Sequence, residues 1–303
     1  MKSFTIMTDT GCDMPQEFLD ANDIKIIPIP FNIDGVEHED GRFTDISDKE
    51  FYEKLGSGSK AGTALINPES FEQVFTEYAE RNEDLLVLLL SSGLSGTAQN
   101  AVIALYEVRE KYPDCKIFPV DSLNASGGFG LFTYLAVAKR AEGLSIEETA
   151  NWLEEKKQSC FSLFTVDDLM YLYRGGRLSK IQAVAGTIIG VKPLLNVHPD
   201  GSLKLKDKAR GRKASMEALA SQLKRSLNPD TKLDTVIIIH SNCENDANLL
   251  ADIVRSKVDV NKIIISMMGP VIGAHVGPGC IALFFEADMT RTEYEEKFYN
   301  RAK

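Results

Sequence analysis

The sequence predicts an α/β protein in two domains: a parallel-sheet domain over residues 1–159 and a mixed α/β domain over 160–303. Three observations carry that reading. Residues 85–90 are an unbroken aliphatic run, Leu-Leu-Val-Leu-Leu-Leu, the mark of a strand buried on both faces. Strand and helix signals alternate around it through the first half, as the βα units of a parallel sheet require. Beyond residue 160 hairpin signals appear, of which Pro199-Asp200-Gly201 between two apolar runs is the clearest.

Taken in order, 4–7 reads as a short strand ending in the polar turn Thr8-Asp9-Thr10-Gly11-Cys12-Asp13, and Pro15 opens a helix. The apolar run 24–31 is interrupted by Pro28 and Pro30, which favour an edge strand or an extended segment. Residues 56–63 read as a flexible Gly/Ser loop. Asn67 as N-cap with Pro68 behind it starts a helix to about residue 81. Helices are expected over 98–111, 130–142 and 146–157, with a strand over 116–120. The polar loops at Asp9, Ser92 and Asp121 all leave strands at the carboxyl end, where parallel sheets bind ligands. In the second half, strands are expected over 162–166, 194–197, 203–206, 235–240, 263–267 and 281–285. A short helix over 167–173 and a longer one near 246–257 complete the pattern.

With 303 residues, 44% hydrophobic and 26% charged, the chain is long and apolar enough to bury a large core. Lys plus Arg total 34 against 44 Asp plus Glu, a formal net charge of −10, whereas nucleic-acid and anionic-membrane surfaces favour a basic face. Cys12, Cys115, Cys160, Cys243 and Cys280 are widely spread without C-x-x-C spacing, which fits a reducing cytoplasm. The opening residues lack the apolar core of a signal peptide, and no stretch reaches the roughly 18 apolar residues of a membrane span. A soluble, cytoplasmic protein without nucleic-acid binding is expected.

The loop Ser91-Ser92-Gly93-Leu94-Ser95-Gly96-Thr97 joins the buried strand to a helix. Free N–H groups there favour an anion, though a plain N-cap by Ser95 or Thr97 explains the hydroxyls equally well. The loop lacks the Gly-Lys-Ser/Thr ending of a Walker loop. It also departs from the G-x-S-x-G elbow of serine hydrolases, because Thr97 stands where the last glycine belongs. His275 lies in the stretch Gly269-Pro270-Val271-Ile272-Gly273-Ala274-His275-Val276-Gly277-Pro278-Gly279. The glycine density there favours a ligand contact over a purely structural histidine. His38, His198 and His240 show no metal-binding spacing, and no metal site is expected. Arg174-Gly175-Gly176-Arg177 suits a carboxylate or phosphate, but a helix C-cap with solvated arginines is the locally favoured reading. Arg210-Gly211-Arg212-Lys213 is a second basic cluster, a solvated face by default or a docking point for an anionic substrate or partner.

Together these motifs resemble the DegV family, fatty-acid-binding proteins that serve as lipid-carrying subunits of bacterial fatty acid kinase. The matching pieces are Thr8-Asp9-Thr10 with Asp13, Ala61-Gly62-Thr63, Ser92-Gly93-Leu94-Ser95-Gly96-Thr97 and Val120-Asp121-Ser122. Arg174-Gly175-Gly176-Arg177-Leu178-Ser179, Lys192-Pro193-Leu194-Leu195 and the stretch around His275 complete the set, in order along nearly the whole chain. The resemblance implies a two-domain α/β protein with one long-chain fatty acid buried between the domains. It further implies that Thr63, Ser95 and His275 hold the carboxylate, with Thr97 in support. An ATP-dependent fatty acid kinase would phosphorylate the bound acyl chain, feeding phospholipid synthesis, and Arg174 and Arg210 would meet that partner or the new phosphate. The chain itself would be a non-catalytic carrier without cofactor or metal, monomeric when free and in only transient contact with membranes.

The chemistry is coherent by itself, since a carboxylate stranded in an apolar tunnel needs several donors. The apolar residues of 129–135 and 183–191 are candidate tunnel walls, although a soluble core explains them equally well. The alternative reading is a serine hydrolase of acyl esters, with Ser95 as nucleophile, His275 as base and Asp167 or Asp168 as the acid.

Overall fold

The computed structural model describes residues 4–38, 46–185 and 190–299. The first half builds strand β1 (Thr5–Asp9), helix α1 (Gln16–Ala21), then the short strands β2 (Lys25–Ile27), β3 (Phe31–Ile33) and β4 (Val36–His38). Pro28 and Pro30 break the apolar run between β2 and β3. This leaves β2 at the edge of one sheet and starts another. Helix α2 (Asp48–Gly56) follows, and then β5 (Ala61–Thr63), inside the segment expected to be a loop. Its strand character comes from its partner, because β3 pairs with it antiparallel and sets Phe31 opposite Thr63.

Helix α3 (Pro68–Glu80) starts as expected, the Asn67 side chain accepting the Ser70 N–H with Pro68 in the first turn. β6 (Leu85–Leu89) is buried along its whole length. It is followed by α4 (Thr97–Lys111), β7 (Ile117–Asp121), α5 (Gly127–Ala141) and α6 (Ile146–Lys156), the last opened by a Ser145/Glu148 capping box. The sheet order is β2-β1-β6-β7, all parallel. The strands β4-β3-β5 form a small separate antiparallel sheet.

The second half contains β8 (Cys160–Thr165), α7 (Met170–Arg174), α8 (Lys180–Ala185), β9 (Val191–Val197) and β10 (Leu203–Arg210). The Pro199-Asp200-Gly201 turn forms as expected, with Gly201 at φ +79 closing the β9–β10 hairpin. Next come α9 (Arg212–Arg225), β11 (Leu233–His240), α10 (Glu244–Lys257) and β12 (Val260–Met267). The chain ends in α11 (Pro270–Val276), β13 (Ile281–Glu286) and α12 (Arg291–Phe298). These strands make one mixed sheet in the order β10-β9-β8-β13-β11-β12, in which β11 and β12 are parallel and the other neighbours antiparallel. The basic run 210–213 is the end of β10 and the start of α9, and the glycine-rich stretch around His275 is largely helical.

The second sheet sorts its residues by alternation. Cys160, Phe164, Leu195, Val197, Ile237, Ile239, Ala282 and Phe284 face the core shared with the first half. Phe161, Leu163, Leu194, Val236, Ile238, Leu283 and Phe285 face a separate core that includes residues of α9, α10 and α12. Helix α5 packs against β8, β11 and β13 as well as β1 and β6. Its close approach needs glycine: a Cβ at Gly127 would lie 2.5 Å from the Phe284 ring, and one at Gly128 2.3 Å from Ser162 Oγ. The hairpin tip is seated equally tightly on the first half. Ser91 Oγ donates to Gly201 O at 2.9 Å, and a Cβ at Gly93 would lie 2.6 Å from the Gly201 carbonyl carbon.

Candidate functional site

A cavity lies where the loops at the carboxyl ends of the parallel strands meet the alternating face of the mixed sheet. The space between its atoms, its opening included, is about 750 Å³. The second sheet supplies Ser162, Phe164, Val197, Leu203, Ala282 and Phe284, and Leu90, Ala125 and Ser126 come from loops of the first. Most of this wall is apolar and buried. Its hydroxyls are turned to protein partners: Ser126 Oγ donates to Asp13 Oδ2 at 2.6 Å, and Ser162 Oγ donates to Asn124 Oδ1 at 2.6 Å. Of the expected wall segments, Phe129, Leu131 and Phe132 belong to the core without lining the cavity. Residues 186–189 within the other segment lie outside the described residues.

The half-buried part of the cavity carries its polar groups: Thr63, Ser95, Arg177 and His275. Thr63 is placed by β5 and meets His275 across the cavity, Oγ1 to Nε2 at 2.9 Å. Burial, and secondarily the Arg177 charge, hold His275 down to about 4, so its imidazole is neutral near pH 7. Nδ1 is buried without a hydrogen-bond partner. A buried orphan donor costs more than an orphan acceptor with a spare lone pair, so this pattern assigns the proton to Nε2, donating to Thr63 Oγ1. The Thr63 hydroxyl hydrogen is then left to donate elsewhere. A Cβ at Gly175 would lie 2.3 Å from His275 Nδ1, so only glycine allows α7 to end against the ring.

Ser95 was expected either to bind an anion or to cap the helix. The cap position is Gly96, without a side-chain cap. Ser95 Oγ stands one residue earlier, accepting the Thr97 N–H at 3.3 Å and lying 3.0 Å from Thr97 Oγ1. Thr97 is fully buried and does not line the cavity; it stands behind Ser95.

The arginines divide between the surface and the cavity. Arg174 is exposed, 4.7 Å over the Tyr171 ring and 3.9 Å from Asp168, and Arg210 is exposed at the end of β10. Neither lines the cavity. Arg177, in the same motif as Arg174 but not singled out from it by the sequence, does. The helix ends at Gly175, Gly176 turns the chain at φ +75, and Arg177 comes back to the polar groups. Its Nε donates to Leu94 O at 3.1 Å and Nη1 donates to Gly175 O. Burial holds its pKa below the usual arginine range, and it has no carboxylate partner among the described residues.

The hydrolase constellation does not form. His275 bonds to Thr63 and Ser95 to Thr97. Asp167 is engaged by Lys192 at 2.7 Å and Asp168 by the Met170 N–H at 2.8 Å, so neither of these acids orients the imidazole. A half-buried cation, a neutral imidazole and two hydroxyls at the head of an apolar cavity are suited to hold an anionic group with a hydrocarbon tail. Behind them lie two fully buried carboxylates, Asp9 at the end of β1 and Asp13 in the loop that follows it. Burial pushes Asp9 up to about 7 despite the Gly11 and Leu90 N–H groups it accepts.

Residues 3–288 match the model of the DegV family, described as an uncharacterised protein family. A DegV domain-containing protein of Clostridium perfringens is 40% identical, the match covering 95% of this chain and 99% of that one. Among solved structures, a DegV lipid-binding protein of Thermotoga maritima superposes with a TM-score of 0.84 at 32% identity, covering 96% of this chain and all of its own. A second Thermotoga maritima protein, whose structure reveals a fatty-acid-binding function, gives a TM-score of 0.81 at 31% identity, covering 95% of this chain and 100% of its own. By sequence and by fold, this chain belongs to the DegV family.

Proposed function

We propose that this protein binds one long-chain fatty acid in the cavity between its two larger sheets and carries it without transforming it. The observation that carries the reading is Arg177, a half-buried guanidinium without a counter-ion among the described residues, beside Thr63, Ser95 and His275 at the head of an apolar space. A carboxylate there gains charge-assisted hydrogen bonds. Thr63 donates its hydroxyl while His275 Nε2 holds the threonine oxygen, and Thr97 orients Ser95. An acyl tail of about 15 methylenes at about 0.8 kcal/mol each gives roughly 12 kcal/mol of gross burial energy, which ordering and association costs reduce substantially. Affinity therefore resides in the tail and orientation in the head. The fatty-acid-binding Thermotoga maritima relative supports this assignment.

In the fuller reading the carrier presents its carboxylate to an ATP-dependent fatty acid kinase in the cytoplasm, and the acyl phosphate enters phospholipid synthesis. Residues 1–159 and 160–303 act as the two domains around the ligand, and the free protein is a monomer that contacts membranes only transiently. Among the described residues no helix is long and apolar enough to cross a membrane. Arg174 and Arg210, exposed and outside the cavity, serve the partner or the phosphate. Organic extraction of the purified protein followed by mass spectrometry tests the reading. One fatty acid per chain is expected; no extractable fatty acid, and no uptake of added oleate or palmitate, would refute it.

A further inference from the structure

The segment Thr8-Asp9-Thr10-Gly11-Cys12-Asp13, the end of β1 and the turn after it, is buried at every position, yet none of its residues lines the cavity. Its side chains nevertheless hold several cavity-forming segments. Thr10 Oγ1 accepts the N–H of Ile29 at 2.9 Å. Asp9 Oδ2 accepts the N–H of Leu90 at 3.2 Å, and its Oδ1 holds Gly11 N–H at 2.8 Å. Asp13 Oδ1 accepts the N–H of Gly269 at 2.8 Å, and Oδ2 accepts the hydroxyl of Ser126. Ile29, Leu90 and Ser126 line the cavity themselves, and Gly269 begins the helix that carries His275.

The two carboxylates act on different halves of the polar head. Leu90 ends the β6 run and leads directly into the loop carrying Ser95, so Asp9 fixes where that loop departs. Gly269 is the start of α11, so Asp13 fixes where the helix bearing His275 begins. Asp13 also locks that helix to Ser126, which holds φ +55 at the start of α5, a conformation costly for a residue with a Cβ unless its surroundings enforce it. Both carboxylates satisfy backbone donors that would otherwise be orphaned in the interior.

We propose that Asp13 and Asp9 are the positioning residues of the head site, Asp13 through His275 and Asp9 through Ser95. The assignment rests on the carrier reading for its ligand, but the placement of His275 can be read without any ligand.

Crossed double-mutant cycles on palmitate binding test it. Asp13→Ala should weaken palmitate about tenfold in the wild-type and Ser95→Ala backgrounds, and have almost no further effect once His275 is alanine. Asp9→Asn, whose amide can accept only one of the two N–H groups, should show the reverse: an effect lost in Ser95→Ala and kept in His275→Ala. Asp13→Asn, which can still accept from Gly269 and donate to Ser126, should recover binding to within about threefold of wild type. In ligand-free protein, Asp13→Ala should shift the imidazole ¹⁵N resonances of His275 and leave those of His198 in place. Equal losses in all backgrounds, or an unmoved His275 signature, would overturn the proposal. If Asp13→Ala does not fold, the Asp9 cycle decides it. Wild-type protein that takes up no palmitate would sink the carrier reading, while the ¹⁵N signature would still decide the placement of His275.

Discussion

The four-stranded parallel sheet meets the cavity with its ends, through the loops that follow β2, β6 and β7, whereas the six-stranded mixed sheet meets it with a face, through alternate residues of β8, β9 and β13. A face delivers apolar side chains in a regular row and so makes a wall for a hydrocarbon. Loop ends deliver free N–H groups and hydroxyls but have no register of their own, so something must fix them. Here buried carboxylates do so, together with the hairpin tip pressed on Ser91 and Gly93. The wall needs only period two; the head needs long-range hydrogen bonds.

Filling the wall should do more harm to binding than trimming the head. Ala282 faces the cavity from β13, and Ala282→Phe should abolish long-chain binding by at least about a hundredfold in a calorimetric titration while costing about 1–3 kcal/mol of stability from overpacking. Unchanged affinity would place the tail elsewhere. At the head, Arg177→Met removes a cation that has no carboxylate partner among the described residues. A charged hydrogen bond of about 1.5–3 kcal/mol corresponds to a loss of about ten- to a hundredfold for palmitate, with little loss for its methyl ester. Equal losses for both ligands would show that Arg177 supports the fold instead. Ser95→Ala and His275→Ala, each removing one partner, should weaken retention by about tenfold with the fold intact. Wild-type lipid occupancy in both would remove them from the site.

These regions also differ in how legible they were in the sequence. The wall and sheets follow local pattern: 85–90 is visibly a fully buried strand, and Pro199-Asp200-Gly201 visibly turns a hairpin. The head does not. Ala61–Thr63 looks like the end of a loop because three small residues carry no strand signal, and only pairing with β3 makes them β5. The glycines around His275 hide a helix; Gly273 is there because a Cβ would lie 2.4 Å from the Tyr52 hydroxyl. Spacing marked Arg174 and Arg177 equally, and the turn at Gly176 decides which one reaches the cavity. The motif hydroxyls, with Thr97 in a supporting role to Ser95, were recognisable through family resemblance alone; local pattern left both as plain N-cap candidates, and the helix start puts Ser95 at the cavity with Thr97 buried beside it.

The head and the loop behind it should respond to pH with opposite signs. His275 is held down to about 4 from 6.5, so the unfolded chain binds more protons between those values, and its burial costs stability as pH falls below 6.5. The stability difference between wild type and His275→Gln should therefore rise from pH 4 to 6.5 and then level. Asp9 is pushed up to about 7 from 3.8, so the native state binds more protons in that window. The difference between wild type and Asp9→Asn should fall as pH rises from 3.8 to 7. Denaturant titrations across pH 4–8 measure both, each effect being a few kcal/mol at most; slopes of the same sign would contradict the burial argument. The smallest effect on binding belongs outside the cavity. Arg174→Ala should leave palmitate affinity unchanged and lower acyl-phosphate formation with a partner kinase, and unimpaired turnover would reject that role.

The central claim is that a carboxylate sits among Thr63, Ser95, Arg177 and His275, and carboxyl-¹³C-labelled palmitate tests it most directly. In an NMR titration, the bound resonance should stay ionised to lower pH than an ordinary carboxylate and should move in Arg177→Met but not in Arg174→Ala. A bound carboxyl that titrates as it does in water, indifferent to Arg177, would contradict the assignment.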